Sequence, residues 1–396
     1  MMARMPTMPE PTLASLRQGQ LRNVMLRMGT AAILTSDPIT ITYATGAQNM
    51  TVFGMMGPSR FLLLFADGPC ILFEFNGCDH LSGGLETVDE IRSAPGLTAL
   101  AGHTYEFQIV QFSDEIAALC RGHLSQGERL AVHRLDYLVT DSLRASRVEL
   151  TDAGPVLIEA RRVKINAEIE TMREAARRVE AAAAVMAATI APGRSENEIW
   201  ADFHQPVIAD GGQYVVTRLL QSGPRTFPYF QECSERVVQA GDLVAFDADT
   251  TGWSGYSVDF SRTWVCGADR ATPVQRSLHA RALEQLQHNA ALLGPGVSFE
   301  SIARNAWPVP DEHKPYGYYC VGHGLGMSGD YPNITLFDAT QPYPLHDGLE
   351  PNMVICVESY VGSVTAGQGV KLEDQYLITG TGAERMTILP FDTALL

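Results

Sequence analysis

No apolar run in this 396-residue chain approaches the roughly 20 residues that a membrane-spanning helix needs. A helical membrane protein is therefore not expected. The N-terminal stretch MMARMPTMPEPTLASLRQGQ has no apolar core followed by a cleavage site, so no secretory leader is expected either. Positive charge is scarce: 29 Lys and Arg stand against 45 Asp and Glu, a formal net charge of -16. Such a balance argues against nucleic acid as a partner, because binding phosphate needs a basic surface. It leaves room for a small zwitterionic or anionic ligand, since a pocket has its own local field. The seven cysteines (Cys70, Cys78, Cys120, Cys233, Cys266, Cys320, Cys356) are scattered, odd in number and without a close CxxC pair. They read as reduced core thiols of a cytoplasmic protein. No internal repeat and no low-complexity tract is visible.

What is present is ordinary globular texture, with 45% hydrophobic and 19% charged residues and enough length for two domains. Residues 10–30 carry a helical apolar face. AAILTSDPITITYATG alternates β-runs with turn residues, and RFLLLFADGPCILFEF is a hairpin of two apolar strands around Ala66-Asp67-Gly68-Pro69. SDEIAALCRGHLSQG reads as helix and RLAVHRL as strand, which makes an α/β domain over residues 1–155. The texture then changes. An Ala-rich helix over residues 163–191 ends at Pro192-Gly193, and Ser195 to Glu198 forms a capping box for a second helix. Strands YVVTRLLQSG, DLVAFDAD and YSVDFSRTWVC, a helix over residues 272–293, and a closing run of strands and loops complete a second domain, residues 156–396.

The second domain places Asp247, Asp249 and Asp259 close together, then His323 in GHGLG, Glu358 in MVICVESY and Glu373 in GVKLEDQYLIT. Each lies at or near an expected strand among apolar neighbours. Carboxylates in such places are paired or bound to metal, because burying them alone is costly. A bound cation reverses the repulsion among them. Five carboxylates and one imidazole suit Mn, Fe, Co or Zn, and so many anions suit two ions with shared ligands.

The order and spacing resemble the pita-bread metallohydrolases: methionine aminopeptidases, prolidases and creatinases. The matching residues are the DAD segment, Asp259 in DFSRT, His323 in VGHGLG, Glu358 and Glu373, with RRVKINAEIETMREAA leading in. The resemblance implies an α/β (α+β) protein with a creatinase-like N-terminal domain, a pita-bread catalytic domain, two divalent metal ions and a homodimer. Two histidines of the peptidases are missing. Phe227 and Tyr229 occupy the neighbourhood of one, and Asp330 stands where the other is expected. Those histidines help bind the peptide, so their loss argues against peptide hydrolysis. The additional Asp249, SGPRTFPYFQEC and the GHGxGM turn are similar to dimethylsulfoniopropionate (DMSP) lyases of the DddP type. That resemblance implies a metal-dependent lyase, iron first among its candidate metals, that cleaves a C–S bond by β-elimination. It points to Asp330 and Tyr318 as catalytic candidates, although the base of that branch sits one place earlier, where this chain has Gly329. Phe53, Phe227, Tyr229 and Tyr316 are the candidate substrate contacts, with Phe53 reaching over from a partner subunit, because aromatic faces cradle a sulfonium cation. A metallohydrolase of the same fold, of the Xaa-Pro peptidase or creatinase kind and acting on a C–N bond, is the alternative. A non-catalytic binding protein that has kept the fold is a third reading.

Overall fold

In the computed structural model the chain divides into two units, Met1–Ala160 and Arg161–Leu396. The structure describes residues 11–97 and 99–396, so the first ten residues of the stretch read for a leader lie outside the described residues. No helix among the described residues is long and apolar enough to cross a membrane.

The first unit is built on a six-stranded sheet of order β4-β3-β2-β1-β5-β6. Its strands are β1 (Ala32–Thr35), β2 (Phe61–Phe65), β3 (Cys70–Glu74), β4 (Glu90–Ser93), β5 (Leu130–His133) and β6 (Leu150–Asp152). The hairpin expected from RFLLLFADGPCILFEF is present, with Phe61 opposite Phe73 and Leu64 opposite Cys70. Helices α1 (Leu13–Arg27), α2 (Pro38–Thr45), α3 (Thr51–Met56), α4 (Tyr105–His123) and α5 (Tyr137–Ala145) belong to this unit, and α6 (Gly154–Arg162) runs across the division. The β-branched ITITYAT is helix α2, not a second β-run. Asp37 caps its N-terminus by accepting from Thr40 N, Pro38 pre-sets the first turn, and Gly46 closes it at φ +78. These end signals, and the burial of every residue of the helix but Ile39, override the strand preference of Ile and Thr.

The second unit opens with α7 (Asn166–Ala187) and α8 (Glu196–Ala209), the latter starting at the Ser195–Glu198 capping box. Two small sheets follow, one of β7 (Tyr214–Val215), β10 (Thr250–Thr251) and β11 (Ser257–Val258), the other of β8 (Leu220–Ser222), β9 (Leu243–Asp247) and β12 (Ser261–Val265). After α9 (Pro273–Ala291) and α10 (Phe299–Asn305) comes a five-stranded antiparallel sheet of order β14-β13-β15-β16-β17. Its strands are β13 (Cys320–Leu325), β14 (Gly329–Thr335), β15 (Val354–Ser363), β16 (Gln368–Ile378) and β17 (Ala383–Arg385). One apolar cluster joins Leu278, Ala282 and Leu286 of α9 and Phe299 of α10 to Val357, Val361 and Leu372. A second joins α7 and α8 to Val244, Phe246 and Phe260. The two β-layers meet where Thr263 Oγ1 of β12 bonds the backbone of Lys371 in β16, donating at 2.9 Å and accepting at 3.1 Å.

Candidate metal centre

Strand register assembles the site. Glu358 of β15 stands directly opposite Glu373 of β16, and like charges so placed destabilise a sheet unless a cation separates them. His323 of β13 is opposite Cys356. The two-residue strand period then puts Cys356 and Glu358 on the same face. Asp247 ends β9 opposite Ser261, and Asp259 leads into β12. Asp247, Asp259, Glu358 and Glu373 are all buried.

The distances are those of donors around a common cation. His323 Nε2 lies 3.6 Å from Asp259 Oδ2, 3.5 Å from Glu358 Oε1 and 3.7 Å from Glu373 Oε1. Ligands held at about 2.1 Å from one tetrahedral ion are about 3.4 Å apart. Asp247 Oδ1 and Glu373 Oε1 are buried without a hydrogen-bond partner. Orphaned carboxylate oxygens at that depth fit a cation and little else. Cys356 Sγ, Asp259, His323 and Glu373 also offer ligand atoms within 4.8 Å of one another. The donor set therefore fits divalent metal.

Asp249 lies just past β9 with φ +24, in the left-handed region that a non-glycine residue occupies only when held there. Val216 N donates to its carbonyl at 2.7 Å, and Thr217 Oγ1 donates to Oδ2 at 2.6 Å. Electrostatics report the same crowding. Burial, then the charge of Asp247, pushes the Asp249 pKa up to about 7. Burial, then Glu373, drives Asp259 well above the usual carboxylate range. Burial, then Glu358, takes Glu373 up to about 8. Glu358 goes the other way: burial works against its charge, but Lys371 and His323 outweigh burial and lower it. For His323, burial opposes the imidazolium, yet the glutamates overcome it and raise the pKa to about 9.

Two neighbours escaped the sequence reading. One is Cys356. The other is Lys371, whose ammonium donates to Glu358 Oε2 at 2.5 Å, Glu373 Oε2 at 2.8 Å and Ser261 Oγ at 2.8 Å. The signal was available: Lys371 is one of three lysines in the chain, and it sits two places before Glu373, hence on the same strand face.

Of the candidate substrate contacts of the second unit, Tyr229 packs on Tyr318 next to this cage, and Phe227 and Tyr316 form a pair of their own. The Tyr229 ring lies 4.9 Å from Tyr318 and 4.5 Å from Tyr360, and Phe227 meets Tyr316 edge to face at 5.5 Å. Lys371 Nζ stands 5.8 Å from the Tyr318 centroid, which ties the aromatic cluster to the cage. The SGPRT segment is pinned by the buried Glu196, which accepts from Ser222 N and Oγ and from Ser234 N and Oγ and pairs with Arg225. Burial, then the charge of Glu358, raises the Tyr318 hydroxyl, so Tyr318 is a neutral phenol. Phe53 is on α3 in the first unit, edge to face with Phe75 at 5.9 Å. Asp330 has both oxygens committed to cations, Oδ1 to Arg161 Nη2 at 2.6 Å and Oδ2 to Lys164 Nζ at 3.2 Å.

Residues 170–380 match the model of metallopeptidase family M24. The chain is 34% identical over 389 residues to a dimethylsulfoniopropionate lyase DddP of Roseovarius nubinhibens, covering 96% of this chain and 86% of that protein. It is 32% identical over 395 residues to the DddP of Roseobacter denitrificans, covering 98% and 88%. Among solved structures, a prolidase from Thermococcus sibiricus superposes with a TM-score of 0.78 at 20% identity, covering 96% of this chain and 98% of that one. The dipeptidase PepE of Mycobacterium ulcerans gives 0.75 at 20%, covering 96% and 97%. The fold is the two-domain mixed α/β architecture of prolidases, and the chain belongs to metallopeptidase family M24.

Proposed function

We propose that this protein is a metal-dependent lyase that breaks a C–S bond by β-elimination, converting DMSP or a close analogue to dimethyl sulfide and acrylate. The observation that carries this reading is the aromatic cluster of Tyr229, Tyr318 and Tyr360, whose Tyr318 ring stands beside Lys371 of an anionic cage. A sulfonium propionate is a cation at one end and a carboxylate at the other. Aromatic faces attract the cationic end. Divalent ions held by Asp247, Asp249, Asp259, His323, Glu358 and Glu373 would supply Lewis acidity toward the carboxylate end. The reaction passes a proton from the carbon next to the carboxylate to a base and on to solvent, forms the carbon–carbon double bond and expels the thioether with the C–S electron pair, so atoms and charge balance. The neutral Tyr318 hydroxyl is suited to donate a hydrogen bond, not to accept this proton.

The similarity to two proteins named as DMSP lyases supports the same reading. So does the absence of a histidine between His204 and His279, where the peptidases carry one. The test is headspace measurement of dimethyl sulfide from purified protein loaded with Fe²⁺ or Mn²⁺ and supplied with DMSP. Xaa-Pro dipeptides and creatine serve as parallel substrates. Dimethyl sulfide release without dipeptide cleavage is the expected result. Dipeptide or creatine hydrolysis with no dimethyl sulfide would replace the lyase reading with a hydrolase of the same fold.

A further inference from the structure

Lys371 is a buried cation set among the carboxylates of the candidate metal centre. Its side chain is 4% exposed. Its ammonium touches Glu358, Glu373 and Ser261, and it lies 3.5 Å from Asp247 Oδ2. Three of the carboxylates that form the cage are thus within ion-pair distance of one fixed positive charge. Backbone bonds to Thr263 Oγ1 on both its N–H and its carbonyl hold the residue in register between β12 and β16, so the ammonium cannot easily withdraw with its strand.

We propose that Lys371 is a built-in countercharge of the metal cage, holding the carboxylates together when metal is absent and weakening the affinity of the cage for divalent cations. Contact motivates the first half. Lys371 Nζ stands 2.5 Å from Glu358, 2.8 Å from Glu373 and 3.5 Å from Asp247, so one fixed positive charge offsets the repulsion among three buried carboxylates. Distance motivates the second half. Unit charges about 4 Å apart in a partly screened interior still interact by several times thermal energy. A fixed ammonium on Glu358 Oε2 and Glu373 Oε2 therefore repels any cation brought to the remaining oxygens of the same carboxylates. A lysine in this place makes the site stable without metal and the metal exchangeable. Lys371 touches no reacting atom in this account and acts as a positioning residue.

The test compares wild type, Lys371→Met and Lys371→Arg, using Mn²⁺ alone as the probe. Thermal unfolding is measured on chelator-treated protein and Mn²⁺ affinity by calorimetry. Lys371→Met keeps length and removes charge, so its metal-free form should melt lower while it binds Mn²⁺ tighter by about tenfold or more. Lys371→Arg retains the charge and should stay within about threefold of wild type in affinity. A lysine that merely packs would, when lost, lower both stability and affinity. Unchanged or weaker Mn²⁺ binding by folded Lys371→Met overturns the proposal, as does an Arg variant that tightens as much as the Met variant. If Lys371→Met is recovered only with Mn²⁺ present, release to EDTA is the readout. Slower release than wild type supports the proposal, and faster release overturns it.

Discussion

Arg262 and Asp374 form an ion pair at 2.7 Å in which each side chain is 1% exposed. Arg262 also donates to the carbonyls of Ser261 and Glu373 from Nη1 and of Leu389 from Nε, each at 2.8 Å. Asp374 additionally accepts from Thr387 Oγ1 at 2.9 Å and Arg385 Nη2 at 3.2 Å. The pair clamps β12 to β16 immediately behind the cage residue Glu373. Asp374→Ala would strand a fully buried guanidinium. Breaking a buried pair costs about 3–5 kcal/mol, and the three carbonyl acceptors that Arg262 keeps place this case near the lower end, about 3 kcal/mol. For a unit of this size each kcal/mol lowers Tm by about 2–4 °C, so the expected drop is about 6–12 °C. Thermal unfolding followed by circular dichroism on metal-free protein measures it. The double variant Arg262→Met/Asp374→Ala removes both charges at once, so its loss should fall short of the sum of the Arg262→Met and Asp374→Ala losses by about 2 kcal/mol. Additive losses, or an Asp374→Ala protein within about 1 kcal/mol of wild type, would refute the clamp.

Chelation should lower Tm, since an ion present at a hundred times its Kd stabilises the fold by about 2.7 kcal/mol; an unchanged Tm after proven metal loss would show a cage that is not strained by its own charge. His279 is fully buried with both ring nitrogens unpartnered, and burial pulls its pKa down to about 4 from 6.5. Both states are neutral above 6.5, and the unfolded chain takes up the proton first below it, so stability is lost from pH 6.5 down to 4, by up to about 3 kcal/mol; His279→Leu should flatten that part of the wild-type Tm–pH curve. Asp330→Asn leaves Arg161 and the buried Lys164 without their countercharge, so it should cost about 2 kcal/mol or more of stability. A hundredfold or larger loss of turnover with unchanged Tm would instead mark Asp330 as the base. A Cβ at Gly362 would lie 2.5 Å from Phe227 Cδ2, so Gly362→Ala should displace that ring and lower kcat/KM about tenfold at unchanged metal content.

The anions of the cage were legible because burial makes them conspicuous. Glu358 and Glu373 stand in strands whose other residues are apolar, and a carboxylate there requires an explanation. Their partners were much less legible. In GVKLED the lysine beside acidic residues reads as a solvated charge pair. Its burial depends on β12 lying against β16 through Thr263, a contact more than a hundred positions away in sequence. Asp330 poses the same problem. A catalytic base and a paired anion look identical in the string HGLGMSGDYP, and the cations that hold Asp330 lie 169 and 166 positions upstream. Helix α2 failed for a different reason: local β preference was read from Ile and Thr, while Asp37, Pro38 and Gly46 at its ends carried the decisive signal. In each case the group whose burial is costly can be seen from its immediate neighbours, and the group that offsets that cost arrives through the fold. For a chain of net charge -16 with three lysines, a lysine inside the cage is therefore a deliberate use of a scarce charge. Its sequence position, on the same strand face as Glu373, sets its ammonium against Glu358, Glu373 and Asp247, where one fixed positive charge offsets the repulsion that closing the site builds up.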